Sequence, residues 1–247
     1  MNQARSLNGR GTAVIRFLER AAVVWIVSLT AIATDAQLLN GSFELGYGLY
    51  TNTSNPSSVT TAAVGWVQYG NGLRISTNET GDANSARTGA FSLQCFGSNF
   101  GQSEGACQEI ADGVSPGQTW TISGYARIPS SDPLTNASPI GMQPFGCLRL
   151  AFMDTNGAEI DYFDAPDIYS ADGLDTWLSV SVTGTAPAGA ARLKVDVMEI
   201  GFFGNPSGTI YFDDLTVIPE PSTFLLVSMS LLGGFRMYSR RKNRHTD

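Results

Sequence analysis

Short runs of alternating apolar and polar residues fill the middle of the chain. In Arg192-Leu193-Lys194-Val195-Asp196-Val197 the apolar positions share one strand face and the charged positions the other. Leu178, Val180 and Val182 alternate with Ser179, Ser181 and Thr183. Leu148-Arg149-Leu150-Ala151-Phe152-Met153 leads into Asn156-Gly157, a strong hairpin signal. Ser115-Pro116-Gly117-Gln118 is a second turn, followed by Trp120, Ile122 and Tyr125. About ten such strands, with no long helical periodicity between them and no internal repeat, predict an all-β antiparallel sandwich.

Two apolar stretches break this pattern, one towards each end. Ala21–Ala33 follows Arg5, Arg10, Arg16 and Arg20 and leads into Thr34-Asp35-Ala36. That is the order of a secretory signal peptide, so residues 1–36 are expected to direct export. Cleavage after Ala33 and retention as a signal anchor remain the alternatives.

Phe224–Phe235 is uncharged, and Arg236, Arg240, Arg241, Lys242 and Arg244 follow it. These residues as a helix span about 18 Å, short of the roughly 30 Å hydrocarbon core. Extension from Pro221 to Tyr238, with basic side chains snorkelling, approaches a full transmembrane helix. Pro219 and Pro221 stop it from growing backward. The basic cluster should stay cytoplasmic, which places everything before Pro219 outside. The plainer alternative is a short buried core helix with a solvated basic tail.

Val217-Ile218-Pro219-Glu220-Pro221-Ser222-Thr223, the short apolar span and the terminal arginine cluster together resemble the PEP-CTERM sorting signal of bacterial envelope proteins. The resemblance covers residues 219–247. It implies a membrane anchor before processing and recognition at Pro219, Glu220 and Pro221 by an exosortase, a membrane-embedded cysteine protease-like enzyme. It also implies a final place at the cell surface or in the extracellular matrix of a polysaccharide-producing cell.

Setting both ends aside changes the charge balance. The whole chain has 15 basic and 22 acidic residues, whereas residues 37–218 hold 6 basic and 18 acidic, a net charge of −12. Such a domain repels phosphate backbones, which excludes nucleic acid as a partner. Its length suits one domain with a sizeable core.

Landmarks along 37–218 also follow a family order. Leu39-Asn40-Gly41-Ser42-Phe43-Glu44 opens the domain, then come Gly65-Trp66, Gly89-Ala90-Phe91-Ser92-Leu93 and Cys107-Gln108-Glu109-Ile110. Pro116–Ser123, Trp177 and Thr183–Gly189 follow, and Gly208-Thr209-Ile210-Tyr211-Phe212-Asp213-Asp214-Leu215 closes the series. This series resembles the carbohydrate-binding modules of the family 4/9 type, and implies a jelly roll with a galactose-binding-like fold that binds polysaccharide.

Asp213 and Asp214 are adjacent in a predicted strand, so one of them is expected to point inward. A buried carboxylate needs a cation or several hydrogen-bond donors, and Glu44 is a candidate second ligand. In the modules that this domain resembles, the opening and closing strands meet at a structural calcium. The resemblance therefore implies calcium held by Glu44, Asp213 and Asp214, with carbonyls such as that of Ser42. Alternatively, these carboxylates bond backbone N–H groups or an arginine such as Arg87. Asp154–Glu159 reads as a hairpin turn rather than a calcium loop, because it lacks regular ligand spacing.

Sugar sites pair an exposed aromatic platform with polar side chains. Trp66, Trp120 and Trp177 are expected in the core. The platform candidates are Tyr47, Tyr50, Tyr69, Tyr162 and Tyr169, with Phe163, Phe202 and Phe203 beside them in the reading. Ordinary edge packing is the alternative for each.

The sole histidine, His245, lies in the basic tail, so 37–218 holds no Ser-His-Asp or Cys-His pair and no histidine metal site. An acidic cluster of Glu159, Asp161, Asp164 and Asp167 leaves a glycosidase-type carboxylate pair as a minor alternative. Cys95 and Cys107, on neighbouring predicted strands joined by a Gly-rich loop, are the expected disulfide, and Cys147 is the expected buried thiol. The expected function is non-enzymatic binding of extracellular or cell-wall polysaccharide. A structural matrix or adhesion role without a discrete ligand site is the alternative.

Overall fold

The computed structural model describes residues 38–51, 59–70, 72–97, 103–110, 113–135, 143–201 and 208–220. The predicted signal peptide, Phe202, Phe203, Pro221 and the rest of the C-terminal tail lie outside the described residues. Among the described residues no helix is long and apolar enough to cross a membrane.

Two five-stranded antiparallel sheets pack face to face. The first runs β10 (Leu178–Thr185), β7 (Thr119–Arg127), β12 (Thr209–Pro219), β5 (Phe91–Phe96) and β4 (Gly72–Ser76). The second runs β3 (Val67–Tyr69), β6 (Ser103–Ile110), β11 (Arg192–Ile200), β8 (Phe145–Met153) and β9 (Glu159–Asp164). A separate hairpin pairs β1 (Tyr47–Thr51) with β2 (Val59–Ala63). Helical structure among the described residues is limited to α1 (Thr77–Thr80) and a 3₁₀ turn at Ser170–Asp172. Ser76 and Glu79 close a reciprocal cap on α1.

The alternation in the sequence becomes the inside and outside of the sandwich. Leu193, Val195 and Val197 of β11 face Ile122, Leu93, Ile210 and Phe212 of the opposite sheet, with Leu148, Leu150 and Phe152 of β8 among them. Trp120 and Trp66 are buried as expected, and Trp177 is half-buried. The Asp154–Ala158 segment is the expected turn, with the Asp154 carboxylate accepting N–H bonds from Asn156 and Ala158.

Strand β12 departs from the simple reading at its centre. The pairing with β7 shifts between Asp213 and Thr216, and Asp214 takes a left-handed conformation (φ 51°). Two residues thus fill the place of one between the inward-facing Phe212 and Leu215. Neither aspartate enters the core between the sheets; Asp213 pairs across to Tyr125 and is buried beneath the segment 87–88.

Strand β12 continues past Ile218. Pro219 pairs with Trp120, and the Glu220 N–H donates to the Thr119 carbonyl at 2.8 Å. Proline is tolerated there because, among the described residues, this last stretch of β12 pairs with β7 alone; β5 pairs no further than Phe212.

Candidate functional site

The outward face of the β3-β6-β11-β8-β9 sheet gathers the polar and aromatic residues of five chain segments. Strand register sets its rows. Val67, Cys107, Asp196, Arg149 and Asp164 form one row across all five strands. Tyr69, Gly105, Met198 and Cys147 form the next on one side. Glu109, Lys194, Ala151 and Tyr162 form the next on the other.

Asp196 is the centre of this face and only 7% exposed. The Tyr69 hydroxyl donates to its Oδ1, reaching it across Gly105. A side chain at position 105 would collide with the Val197 carbonyl and crowd the Tyr69 oxygen, so glycine there lets the tyrosine lie against the sheet. Lys194 Nζ stands 3.7 Å from Asp196 Oδ2 and 3.2 Å from Glu159 Oε2. Burial raises the Asp196 pKa, while the Tyr69 hydrogen bond and Lys194 oppose the rise. Burial also pushes the Tyr69 phenol far above its ordinary range, reinforced by Asp196. Burial pulls Lys194 down, but Asp196 and Glu159 outweigh it and the ammonium is held charged.

Arg149 forms a forked pair with Asp164 (2.7 and 2.9 Å) and lies 4.0 Å over the Tyr162 ring. Tyr162 remains 50% exposed. Towards the other end of the strands Tyr169 packs on Phe145 (5.7 Å between ring centroids), and its hydroxyl donates to Asp167 at 2.9 Å. Three of the tyrosine candidates therefore frame one sheet face. Tyr47 and Tyr50 stand on β1, and their side chains lie outside the described residues. Phe163 instead turns inward and packs edge-on against Phe152.

Asp196, Arg149 and Lys194 complete this face and were not among the expected aromatic candidates. Their signal was present in the alternation of β11: charged residues recur on one side of a strand that lies mid-sheet. The acidic cluster divides in the same way. Glu159 and Asp164 form ion pairs on this face, and Asp167 holds Tyr169. Rings with adjacent carboxylate and cationic side chains can stack on a sugar ring and exchange hydrogen bonds with its hydroxyls.

The expected metal ligands form a different arrangement. Glu44 Oε1 accepts from the N–H groups of Ala90 (3.0 Å) and Phe91 (2.8 Å). Asp213 Oδ2 accepts from Arg87 N–H (2.8 Å) and Thr88 N–H (3.2 Å), and its Oδ1 from Asp214 N–H (2.7 Å). Asp214 takes the Arg87 guanidinium and the Thr88 hydroxyl, each at 2.6 Å. Both Asp213 oxygens thus accept backbone N–H bonds. No group of three or more His, Cys, Asp or Glu side chains that could hold a metal occurs among the described residues. Glu44, Asp213 and Asp214 form a clasp between the entering chain, the 87–91 segment and β12. Asn40, Phe43 and Asp214 all adopt left-handed conformations in it (φ 57°, 60° and 51°). Burial raises the Asp213 pKa to about 7 against the pull of its three N–H bonds.

The expected Cys95–Cys107 disulfide is not formed; both thiols and Cys147 are free. Cys95 belongs to β5 and points between the sheets, whereas Cys107 lies on β6 in the other sheet and faces outward. Burial pushes the Cys107 and Cys147 thiols up to about 12, so neither is an activated nucleophile.

No protein-family model matches the chain, and no curated protein matches it. Solved structures are similar in fold. The CBM22-1 xylan-binding domain of Paenibacillus barcinonensis Xyn10C is 18% identical, with a TM-score of 0.46 over 76% of this chain and 96% of that one. The CBM22-1–GH10 modules of the Clostridium thermocellum xylanase 10B, complexed with xylohexaose, are 14% identical with a TM-score of 0.46. That likeness covers 76% of this chain and only 29% of that one. TmCBM61 in complex with β-1,4-galactotriose is 14% identical, with a TM-score of 0.42 over 75% of this chain and all of that one.

Proposed function

We propose that this chain is an exported, surface-sorted protein whose sandwich binds polysaccharide and has no enzymatic activity. The binding face is the outer side of the β3-β6-β11-β8-β9 sheet. The observation that supports it is the convergence of Tyr69 with Tyr162 and Tyr169, distant from it in sequence, around Asp196, Arg149 and Lys194 on one face. Four inter-strand steps from β3 to β9 give a width of about 19 Å, enough for several sugar rings laid across the strands. The tail 219–247 is read as the sorting signal, inserted in a membrane through its apolar run and processed by an exosortase at Pro219-Glu220-Pro221.

Affinity electrophoresis of the full chain through gels containing xylan, β-1,4-galactan and other soluble glycans tests the binding reading. Retardation should appear with at least one polysaccharide. Tyr162→Ala should weaken it by about 2 kcal/mol, roughly thirtyfold in Kd, because its half-exposed ring offers a sugar aromatic surface to pack on. No retardation on any glycan would overturn the reading.

A further inference from the structure

The chain leaves the sandwich at a fixed point. The Glu220 N–H is bonded to Thr119, and the Glu220 carboxylate accepts from the Thr121 hydroxyl at 2.8 Å. Beside this exit, two turns join into one ridge. Gly117 N–H donates to the Ala186 carbonyl at 2.8 Å, and Ala186 N–H to the Gln118 carbonyl at 2.9 Å. Residues 113–119 and 183–191 carry no charged side chain, in a domain of strong net negative charge. Ser115, Pro116, Gly117, Ala188 and Gly189 are exposed on the ridge, and Ile218 beside it is 56% exposed. Asp154 and Arg192 lie on the side of the other sheet. Pro221, Ser222 and Thr223 alone separate Glu220 from the apolar run that begins at Phe224. Three residues reach at most about 11 Å.

We propose that the ridge formed by residues 115–118 and 186–190 is the membrane-facing end of the domain, resting against the lipid headgroups before processing. The inference rests on membrane insertion of the apolar run, as in the function above, and adds an orientation. The pinned exit and the short linker keep this end within reach of the bilayer. Glu220 at the exit and Glu109, Asp154 and Glu159 on the other sheet's side of this end are repelled by anionic headgroups, so the orientation that sets the uncharged ridge, rather than that side, against them is favoured. Small uncharged turns also approach headgroups without stripping water from a charge. The strands then stand away from the bilayer, and a glycan crossing them on the proposed face runs along the membrane plane.

The test uses the full chain in vesicles of phosphatidylethanolamine and phosphatidylglycerol. Cys107→Ser removes the one partly exposed native thiol; Cys95 and Cys147 are buried. A fluorophore is attached through Ala188→Cys on the ridge or Ser131→Cys in the segment that follows β7 at the opposite end. Flotation comes first: the chain should rise with the vesicles, and failure to rise would overturn both the membrane reading and the orientation. In floated protein, headgroup-labelled quencher lipids should quench the Ala188→Cys label severalfold more than the Ser131→Cys label. A flexible Gly-Ser insertion between Glu220 and Pro221 should remove that difference. Equal quenching at both positions of the uninserted protein would overturn the orientation while leaving membrane insertion standing.

Discussion

Two buried aspartates lie on the outer sides of the two sheets, and they are satisfied in opposite ways. Asp196 is met by side chains, the Tyr69 hydroxyl and the Lys194 ammonium. Asp213 is met by the backbone, through the N–H groups of Arg87, Thr88 and Asp214. Side-chain donors sit on rotatable bonds and can trade a protein acceptor for a ligand hydroxyl. Backbone donors can leave only if the segment that carries them moves. The first arrangement suits a binding site and the second a structural clasp, although both carboxylates are almost fully enclosed.

The largest expected effect tests the clasp. Asp213→Ala leaves three N–H groups without their acceptor and should destabilise the domain by about 3–5 kcal/mol in urea unfolding. Glycan binding by the folded fraction should be unchanged. The same carboxyl sets a pH signature. Its folded pKa, about 7, lies above the unfolded value near 4, so the folded state holds the proton more tightly. The stability this contributes is fully present below the unfolded pKa and is lost as pH rises through the folded one. From about pH 4 to 7, the stability of the wild type relative to Asp213→Asn should therefore fall, by about 1.4 kcal/mol per pH unit at most. A difference that grows with pH would refute the assignment.

Next comes the site. Tyr69→Phe keeps the ring and removes only the hydroxyl that Asp196 accepts, which should cost about 1.5–3 kcal/mol of stability. Unlike Asp213→Ala, it should also weaken glycan retention, because Asp196 loses the partner that orients it. Loss of stability with retention unchanged would reduce Asp196 to a second structural carboxylate and erase the contrast.

The contrast explains what the sequence could and could not carry. Strands were legible because burial enforces a period of two: β7, β8, β10 and β11 fall where the alternation places them. Tyr69, Tyr162 and Tyr169 were legible as aromatics outside that period. The meeting of Tyr69 with Asp196 was not, since it depends on β3, β6 and β11 lying side by side, which brings together two residues 127 positions apart. The expected Cys95–Cys107 bridge failed for the same reason: neighbouring strands in sequence, β5 and β6, belong to different sheets. The Asp213-Asp214 step failed locally, because a bulge suspends the alternation on which the inward-facing expectation rested.

The smallest expected effect is the most discriminating for the clasp. The expected calcium would lie where the opening and closing strands meet, and Glu44 and Asp213 approach that junction. A cation there would have to displace N–H donors from Asp213 and compete with the Arg87 guanidinium at Asp214. Ligand-bound stability rises with the logarithm of ligand concentration over Kd, so a true site would lift the Tm steadily through millimolar calcium. A clasp made of N–H groups gives no such slope. The unfolding midpoint should be the same in EDTA and in millimolar calcium, and Asp213→Ala should lower it equally in both. A calcium-dependent rise that disappears in Asp213→Ala would show that the carboxylates turn to the ion when it is present, and that the N–H bonds are the resting state of a metal site.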